Sequence, residues 1–528
     1  MTISMDNRIF LYGPSGSGKS AVGRLLADRL AYEFIDLDQE IESSVGRSIE
    51  DIFSQDGESI FRQIERDQIV KQKTRQRVII SLGGGALLND ECRRQVVEAG
   101  LVIFLKASID QLVSRLQTSG EARPLLTGNL PEMRSRLEDQ LARRAEHYGS
   151  FPFVVGTTDL SVEQVVEEIQ IRLGLYHIRG MGAGYDVRVR AGGLENVGDE
   201  LNRRGLKSPL ALVTDEHVAA IYAAGVIENL REAGFKVHLI TIPAGEEHKN
   251  IQTVNSLWES FLQAGLERSS TVLAMGGGVV TDQAGFAAAT FLRGVKWAAI
   301  STTLLGMVDA SLGGKTGADL PQGKNLIGAF YSPSLVLADP NVLKTLPQAQ
   351  VRSGMAEVIK HAVIGDPQLY YEICSRISSN KEWLIEDSLD GIVRRAVAVK
   401  VKIILGDPYE QGLRQVLNLG HTIGHAIELV SGFKLSHGEA VGIGMVVEAR
   451  LAEKIGLAQP GLSNEIAETL SRLGLPTAVP TDLSRQAILD AVQLDKKRAD
   501  GKVLFALPVR IGEVRPGIVV NLEGQDLY

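Results

Sequence analysis

The sequence predicts an α/β protein with parallel sheets, followed by a mainly helical region. Apolar runs such as 8–12 and 101–106 are typical of buried strands, and segments of helical periodicity separate them. Two strands run directly into glycine loops, at 13–18 and 276–278. From about residue 354 the pattern is mainly helical. Alternating strands and helices favour parallel sheets covered by helices.

Length and composition limit the class of protein. The 528 residues are too many for one ordinary domain, so two to four are expected. A net charge of -8 argues against a non-specific nucleic-acid binder. We find no apolar run long enough for a membrane span and no signal peptide. Cys92 and Cys374 lack metal-ligand spacing, which suits a reducing cytoplasm.

We place the domain boundaries by composition and pattern. The division is a first domain at 1–173, a glycine-bearing connector at 174–184, an α/β part at 185–345 and a mainly helical part at 346–528.

The first glycine loop, GPSGSGKS at 13–20, matches G-x-x-x-x-G-K-[ST] between a strand and a helix. Its backbone N–H groups and the following helix N-terminus suit a phosphate chain, so ATP is the expected ligand. Lys19 is expected to reach the β/γ phosphates and Ser20 to hold Mg²⁺. The residues expected to bind ATP in this loop are Gly13, Ser15, Gly16, Ser17, Gly18, Lys19 and Ser20.

Further polar residues follow in the first domain. Asp36 and Asp38 alternate in a strand-like piece, which sends both carboxylates to one side of a strand end. One is a candidate Mg²⁺ contact and the other a candidate partner of a substrate hydroxyl. The alternative is a pair of surface aspartates. Other candidates are Arg62, Gly83, Gly84, Gly85, Arg123 in a lid-like stretch, Arg143 and Arg144.

Together DLD, FRQIE, SLGGGA, RPLL and RRAEHY with the phosphate loop make 5–172 resemble shikimate kinase. The resemblance implies that Asp38, Arg62, Gly83–Gly85 and Arg144 bind shikimate. It implies that Asp36 helps place Mg²⁺, and that Arg123 faces the ATP phosphate being transferred. Lys19, Asp38 and Arg123 are then the catalytic residues. For Arg143 we prefer a solvated helix face.

The second part carries weaker single signals. A strand runs into Gly276–Gly278 and a helix with Asp282 in its first turns, which suits a nucleotide phosphate or an ordinary tight turn. Asp215, at a strand end, could hold a ribose hydroxyl. The stretch 301–333 concentrates polar residues among glycines and favours a site built from loops.

His421 and His425 lie four apart, on one face of a predicted helix, and His437 follows a glycine turn. Neutral imidazole is a common zinc ligand, although two histidines on an ordinary helix are the alternative. Glu357 and Lys360, three apart, also share one helix face.

The stretches GGGVVTDQAGFAAATFLRG, GGKT, GKNLIG, GMAEVIKH, NLGHTIGHAIE and SHGEAVGIGM make about 179–528 resemble 3-dehydroquinate synthase. This resemblance implies a Rossmann-like half that binds NAD and a helical half that supplies metal ligands. It assigns Zn²⁺, or another divalent metal, to Glu357, His421 and His437. It assigns NAD to Asp215, Glu246, Lys249, Gly277, Gly278, Asp282, Thr302, Thr303 and Lys324. It assigns the substrate to Arg293, Asp309, Lys315, Asn325, Lys360, Lys400, Arg414, Asn418, His425 and the pair Lys496 and Lys497. Glu410 takes the position of a proton acceptor, so that Glu410, His425, Lys315 and Arg414 are the expected catalytic residues.

Two positions depart from that family's pattern. Thr281 replaces a glycine beside the nucleotide turn, and a proline follows Asp407 shortly before Glu410.

The sequence therefore predicts a cytoplasmic enzyme with two activities in aromatic amino-acid biosynthesis. Its expected partners are small molecules, namely shikimate, ATP and a heptulosonate phosphate, with neither nucleic acid nor membrane, and a homodimer through the synthase part is compatible. One alternative is another small-molecule kinase fused to a zinc polyol dehydrogenase. A second alternative is a nucleotide-sensing scaffold without catalysis.

Overall fold

A computed structural model describes residues 7–119, 130–379, 389–494, 498–499 and 502–520. The chain divides into two compact units, Met1–Leu173 and Gly174–Tyr528. None of the helices in the described ranges is long and apolar enough to cross a membrane.

Unit 1 contains a five-stranded sheet in which every neighbouring pair is parallel. Its strands are β1 (Arg8–Tyr12), β2 (Glu33–Asp36), β3 (Val78–Ser81), β4 (Leu101–Lys106) and β5 (Val154–Gly156), in the order β2-β3-β1-β4-β5. All five β1 residues are buried, as expected for a central strand with both faces covered. The helices are Lys19–Leu30, Leu37–Val45, Ile49–Gln55, Gly57–Gln72, Asp90–Ala99, Ile109–Ser119, Leu130–Arg143, Ala145–Gly149 and Val162–Leu173.

The strand order places the phosphate loop of unit 1. β1 lies between β3 and β4, with Phe10 opposite Ile80 on one side and Val102 on the other. The chain leaves β1 towards one side of the sheet and later returns to the other. Ligands of open α/β sheets bind where the strand order reverses in this way, at the carboxyl ends of the strands.

The first half of unit 2 is also an α/β fold, built on a seven-stranded sheet. In chain order its strands are β6 (Leu175–Ile178), β7 (Tyr185–Val189), β8 (Leu210–Asp215), β9 (Val237–Ile242), β10 (Thr271–Gly276) and β11 (Lys296–Ser301). A hairpin of β12 (Lys315–Leu320) and β13 (Gly323–Phe330) precedes the last strand, β14 (Leu335–Ala338). The order is β6-β7-β14-β11-β10-β8-β9, parallel except for the β6–β7 pair. The helices of this half are Val197–Arg203, Glu216–Val218, Ala224–Glu232, Ile251–Gln263 and Gly278–Thr290.

Two segments contain strands that were not predicted from the sequence. Residues 174–184, expected to form a connector, contribute the edge strand β6, because residues 175–178 pair antiparallel with β7. The polar stretch 301–333, expected to form loops, contains the β12–β13 hairpin, in which Gly317 faces Gly328. A Cβ on Gly328 would lie 2.2 Å from the Thr316 carbonyl oxygen, so glycine is needed for this close strand approach.

The second half of unit 2 is mainly helical, as predicted. Its helices are Gln348–Gly365, Pro367–Ser379, Asp390–Gly406, His421–Val430, His437–Lys454, Leu462–Arg472 and Arg485–Leu494. A small sheet follows, with β15 (Arg498–Ala499), β16 (Lys502–Arg510) and β17 (Glu513–Val519). The helix Gln348–Gly365 has 13 buried residues out of 18, so it runs through the core and carries its polar residues there.

Candidate active sites

The phosphate loop of unit 1 lies between β1 and the helix Lys19–Leu30. Gly18 precedes that helix with a φ of 91°, a conformation that favours glycine. The Lys19 Nζ lies across the loop and donates to the carbonyls of Gly13 and Pro14 at 2.9 and 3.0 Å. Gly16 and Ser17 lie in the same turn, together with Ser15. The arrangement suits a polyphosphate, because a glycine loop, a helix N-terminus and an ammonium occur together in one segment.

The two predicted Mg²⁺ ligands of unit 1 are in contact. Ser20 Oγ donates to Asp36 Oδ2 at 2.6 Å. A hydroxyl and a carboxylate are oxygen ligands of the kind that Mg²⁺ prefers. Asp38, however, is not on the strand, so the expected alternation is wrong. β2 ends at Asp36, whose side chain accepts from the Asp38 backbone N–H at 3.2 Å and caps the helix Leu37–Val45.

The Gly83–Gly85 segment lies against the predicted substrate-binding side chains. A Cβ on Gly85 would lie 2.7 Å from an Arg62 nitrogen, and a Cβ on Gly83 would lie 3.3 Å from Asp38 Oδ1. Arg144 donates to the Gly84 carbonyl at 2.9 Å. The structure therefore brings these predicted residues together around one glycine segment. Arg143 is exposed and donates to a backbone carbonyl of its own helix.

Glu65 is a member of this cluster that sequence reasoning missed. It is 2% exposed and accepts from Arg62 at 2.7 Å. Burial raises the pKa of Glu65, although the Arg62 guanidinium opposes that shift. The i,i+3 spacing of Arg62 and Glu65 was visible in FRQIE, but their burial was not. Arg123 lies outside the described residues.

The nucleotide-binding candidates of unit 2 lie at the carboxyl ends of adjacent strands. β10 runs into Gly277, and Gly276 pairs with Ser301 at the end of β11, directly before Thr302. A Cβ on Gly277 would lie 3.0 Å from the Thr303 methyl group. The Thr302 Oγ1 is buried without a hydrogen-bond partner among the described residues.

Asp215 ends β8, next to β10, and accepts the backbone N–H groups of His217 and Val218 at 2.9 and 3.0 Å. Gly278 begins the helix Gly278–Thr290. Thr281 is 1% exposed and donates within the first turn of this helix, so the glycine replacement is accommodated locally.

A second group of nucleotide candidates is linked through the β12–β13 hairpin. Lys249 Nζ donates to Asp282 Oδ2 at 2.6 Å and to Asn325 Oδ1 at 2.7 Å. Burial lowers the pKa of Lys249, but the Asp282 carboxylate more than offsets this and raises it overall. Lys324 Nζ lies 3.2 Å from Glu246 Oε1.

The three predicted metal ligands converge. Glu357 Oε1 lies 3.5 Å from His421 Nε2 and 3.4 Å from His437 Nε2. Glu357 is fully buried, and its Oε1 has no hydrogen-bond partner among the described residues. Two imidazoles and a carboxylate are a ligand set that suits Zn²⁺ and leaves a coordination position open. The residues therefore fit a divalent cation.

The charges around this cluster shift its pKa values. Burial raises the pKa of Glu357, but the Lys360 ammonium in contact with it holds that pKa well below its usual range. Burial lowers the pKa of His421. Burial also acts to lower the pKa of His437, but Glu357 and Glu428 raise it to about 9. Glu357 is therefore ionised at neutral pH.

Beside the metal ligands lies a buried charge cluster around Asp309. Lys400 Nζ donates to Asp309 Oδ1 at 2.6 Å, and Lys360 Nζ lies 3.6 Å from the same oxygen. His361, which sequence reasoning missed, is fully buried with its Nε2 3.4 Å from this oxygen. Burial lowers the pKa of Lys400 to about 8, with Asp309 opposing and Lys360 adding to the shift. Such a cluster suits an anionic substrate.

His425 shares the helix His421–Val430 with His421, and their ring centroids lie 5.2 Å apart. A second group of possible metal ligands joins His425, Glu428 and His437. The geometry of His425 is compatible with two roles, as a metal ligand or as a substrate contact. Glu428 was not predicted, although it lies three residues after His425 on the same helix.

Most of the remaining predicted residues of unit 2 lie in the β12–β13 hairpin and in 3-10 helices. Lys315 Nζ contacts the Glu410 carboxylate. Arg414 is 2% exposed and donates to the carbonyl of Pro408 at 2.6 Å, so the proline after Asp407 contributes to the site. Arg293 is exposed with a φ of 66°. Asn418 ends the 3-10 helix Leu413–Asn418, and Lys496 and Lys497 lie outside the described residues.

Family models match parts of both units. The sequence model for shikimate kinase matches residues 15–173. The models for the N-terminal and C-terminal parts of 3-dehydroquinate synthase match residues 239–353 and 354–498.

Individual proteins similar to unit 2 are 3-dehydroquinate synthases. The 3-dehydroquinate synthase of Nostoc punctiforme is 43% identical over 332 residues, covering 62% of this chain and 92% of the relative. That of Pelobacter propionicus is 45% identical over 344 residues, covering 65% and 94%.

Two solved structures share the fold of this unit. The 2-epi-5-epi-valiolone synthase ValA of Streptomyces hygroscopicus, solved with NAD⁺ and Zn²⁺, is 30% identical with a TM-score of 0.58, covering 64% of this chain and 92% of ValA. A 2-deoxy-scyllo-inosose synthase, solved with carbaglucose-6-phosphate, NAD⁺ and Co²⁺, is 25% identical with a TM-score of 0.58, covering 65% and 96%. The chain therefore belongs to the 3-dehydroquinate synthase family and carries a shikimate kinase domain before it, which makes it a fusion enzyme of the shikimate pathway.

Proposed function

We propose that the chain catalyses two specific reactions. One is the ATP-dependent phosphorylation of shikimate to shikimate 3-phosphate. The other is the NAD- and metal-dependent conversion of 3-deoxy-D-arabino-heptulosonate 7-phosphate to 3-dehydroquinate with release of phosphate. The observation that carries the proposal is the convergence of Glu357, His421 and His437 beside the buried lysines around Asp309.

For the synthase, the residues divide into three tasks. Glu357, His421 and His437 would hold Zn²⁺ or Co²⁺, and the loop at 276–278 would receive NAD⁺. When bound, the metal polarises a substrate hydroxyl and NAD⁺ accepts and returns a hydride. The protein's own contribution is to bind the anionic substrate through Lys360, Lys400 and Arg414. His425 is proposed to move a proton, since an imidazole can do so near neutral pH.

For the kinase, Lys19 and the loop N–H groups would bind the ATP phosphates. Ser20 and Asp36 would hold Mg²⁺. The approach of Arg62, Arg144 and Asp38 to Gly83–Gly85 supports a small hydroxylated carboxylate as substrate, because arginines pair with a carboxylate and Asp38 accepts from a hydroxyl.

The domain division 1–173, 174–184, 185–345 and 346–528 is part of this proposal, and the unit boundary after Leu173 supports its first border. A cytoplasmic location and a homodimer through the synthase part stay predictions.

The test is to assay the purified full chain with each substrate separately. We expect shikimate 3-phosphate from shikimate and MgATP, and phosphate release from the heptulosonate phosphate with catalytic amounts of NAD⁺. Stoichiometric release of NADH would instead indicate a polyol dehydrogenase. Activity in neither assay would favour the non-catalytic scaffold.

A further inference from the structure

The His437 ring faces a different carboxylate with each of its nitrogens. Nε2 lies 3.4 Å from Glu357 Oε1, on the side where the metal ligands converge. Nδ1 lies 3.6 Å from Glu428 Oε2 on the other side. Glu428 is 6% exposed, so this second carboxylate is part of the interior and not a surface group.

A histidine that binds a metal through Nε2 must carry its proton on Nδ1, and the Nδ1–H needs an acceptor that fixes the ring. His421 meets this requirement through the backbone, because its Nδ1 lies 3.1 Å from the Leu419 carbonyl oxygen, which can only accept. For His437 the Glu428 carboxylate faces the corresponding nitrogen. Each outer nitrogen thus faces an oxygen, a backbone carbonyl at 3.1 Å for His421 and a side-chain carboxylate at a longer 3.6 Å for His437.

Glu428 is itself held in position by a cation. Its Oε1 accepts from Lys324 Nζ at 2.7 Å, which leaves Oε2 towards His437. Lys324 comes from strand β13, and its ammonium also lies over the Phe433 ring at 4.7 Å. The two oxygens of Glu428 therefore have separate partners, and rotation of the carboxylate away from His437 would cost the ion pair with Lys324.

We propose that Glu428 is a positioning residue of the metal centre, which accepts the Nδ1–H of His437 and so presents Nε2 to the metal. The inference rests on the proposed metal-dependent function. It assigns Glu428 outside the coordination sphere, in contrast to a site in which Glu428 would bind the ion together with His425 and His437.

The test is Zn²⁺ affinity of the metal-free full chain, measured by competition with a chromophoric chelator. We expect Glu428→Ala to weaken Zn²⁺ binding about 10–100-fold, as loss of an outer partner of a metal-bound histidine does. Glu428→Gln keeps an acceptor oxygen and should recover part of the loss. Glu357→Ala, which removes a ligand, should lose more affinity than either.

The matched control is Glu439→Gln. Glu439 lies two residues after His437, but its carboxylate accepts from the Ser436 backbone N–H at 2.8 Å, and glutamine serves equally in that capping position. Its Zn²⁺ affinity should equal that of the wild type. Absorption spectra of the Co²⁺-substituted proteins add a readout of coordination that a change in fold stability alone would not move: Glu428→Ala should alter the bands and Glu439→Gln should not.

Each result decides the matter. A loss below about 10-fold in Glu428→Ala, or no recovery in Glu428→Gln, would overturn the role of Glu428. A loss equal to that of Glu357→Ala would make Glu428 a ligand and would overturn the role as well. If the wild type bound no Zn²⁺, the metal centre of the proposed function would be wrong, together with this inference.

Discussion

The two units build their proposed sites in opposite ways. In unit 1 the proposed phosphate site is one continuous segment, 13–20, in which Lys19 donates to the carbonyls of Gly13 and Pro14. In unit 2 the proposed metal site is made of side chains from three separate helices, carrying Glu357, His421 and His437. A backbone site depends on local conformation, whereas a side-chain site depends on packing between helices.

The electrostatics differ accordingly. In unit 2, Glu357, Lys360 and Asp309 form a buried network in which each charge is balanced by a neighbour. Charges removed from water are tolerated only when they are paired in this way. In unit 1, the Lys19 ammonium donates to two backbone carbonyls of its own loop. Loss of a charge from the buried network of unit 2 should destabilise that unit, because it leaves the partner charge buried and unpaired.

The largest expected effect concerns Lys19 and tests whether the two sites are independent. Lys19→Ala should lower kinase turnover by about 10²–10³-fold, since it removes a charge placed to stabilise the transferring phosphate. Synthase turnover and the thermal midpoint should change little. Turnover of both activities in one preparation measures this, with the exposed Lys71→Ala as control. Kinase turnover near that of the wild type would contradict the role of Lys19.

The next effect separates the two histidines of one helix. His421→Ala should lower Zn²⁺ affinity by more than about 100-fold, beyond the usual effect of an outer partner. His425→Ala should keep the metal and lose synthase turnover, because three protein ligands already leave one position open. Metal content after dialysis, beside turnover, distinguishes the variants. Equal zinc loss in both would make His425 a ligand.

A smaller effect tests whether the close approach of the Gly85 backbone to Arg62 shapes the proposed shikimate pocket of unit 1. A Cβ on Gly85 would lie 2.7 Å from Arg62, so Gly85→Ala should displace that guanidinium and raise the KM for shikimate about 10-fold, the equivalent of one charge-assisted hydrogen bond. The KM for ATP should change less. Gly156→Ala is the matched control, because a Cβ there meets nothing within 4 Å. A KM for shikimate equal to that of the control would show that Gly85 does not shape the pocket.

The smallest effect tests the buried charges of unit 2. Burial lowers the pKa of Lys400 to about 8, so its ammonium is lost as pH rises through 8, and the KM of the synthase for its phosphate substrate should rise a few-fold. Lys400→Arg keeps its positive charge, so the rise in KM should move to higher pH. The pKa of Lys400 is about 8 in the folded state and 10.5 in the unfolded state. Between pH 8 and 10.5 the unfolded state therefore binds more protons than the folded state. The free energy of unfolding should therefore gain from this group as pH rises from about 8 to 10.5. A pH profile identical in both proteins would remove Lys400 from this role.

Much of unit 1 could be predicted from local sequence patterns. The phosphate loop is contiguous, so its glycines, lysine and serine occur in one string. The prediction that Asp38 lies on a strand was wrong, and the reason is local. Asp36-Leu37-Asp38-Gln39 is a helix-start pattern, with a capping aspartate and a glutamine three residues later.

The sequence by itself determined the α/β class and the phosphate loop, because each depends on short-range periodicity or on a motif. The assignment of the metal ligands came from the resemblance to 3-dehydroquinate synthase. Only the tertiary structure decided which side chains lie in contact. The Glu428 carboxylate faces His437 and the Lys324 ammonium, and Lys324 is 104 residues from Glu428. The approach of Glu65 and Arg62 to the glycine segment likewise depends on the packing of a helix against a loop. Spacing specifies a helix face, whereas the partner of that face is set by burial and charge pairing between elements distant along the chain.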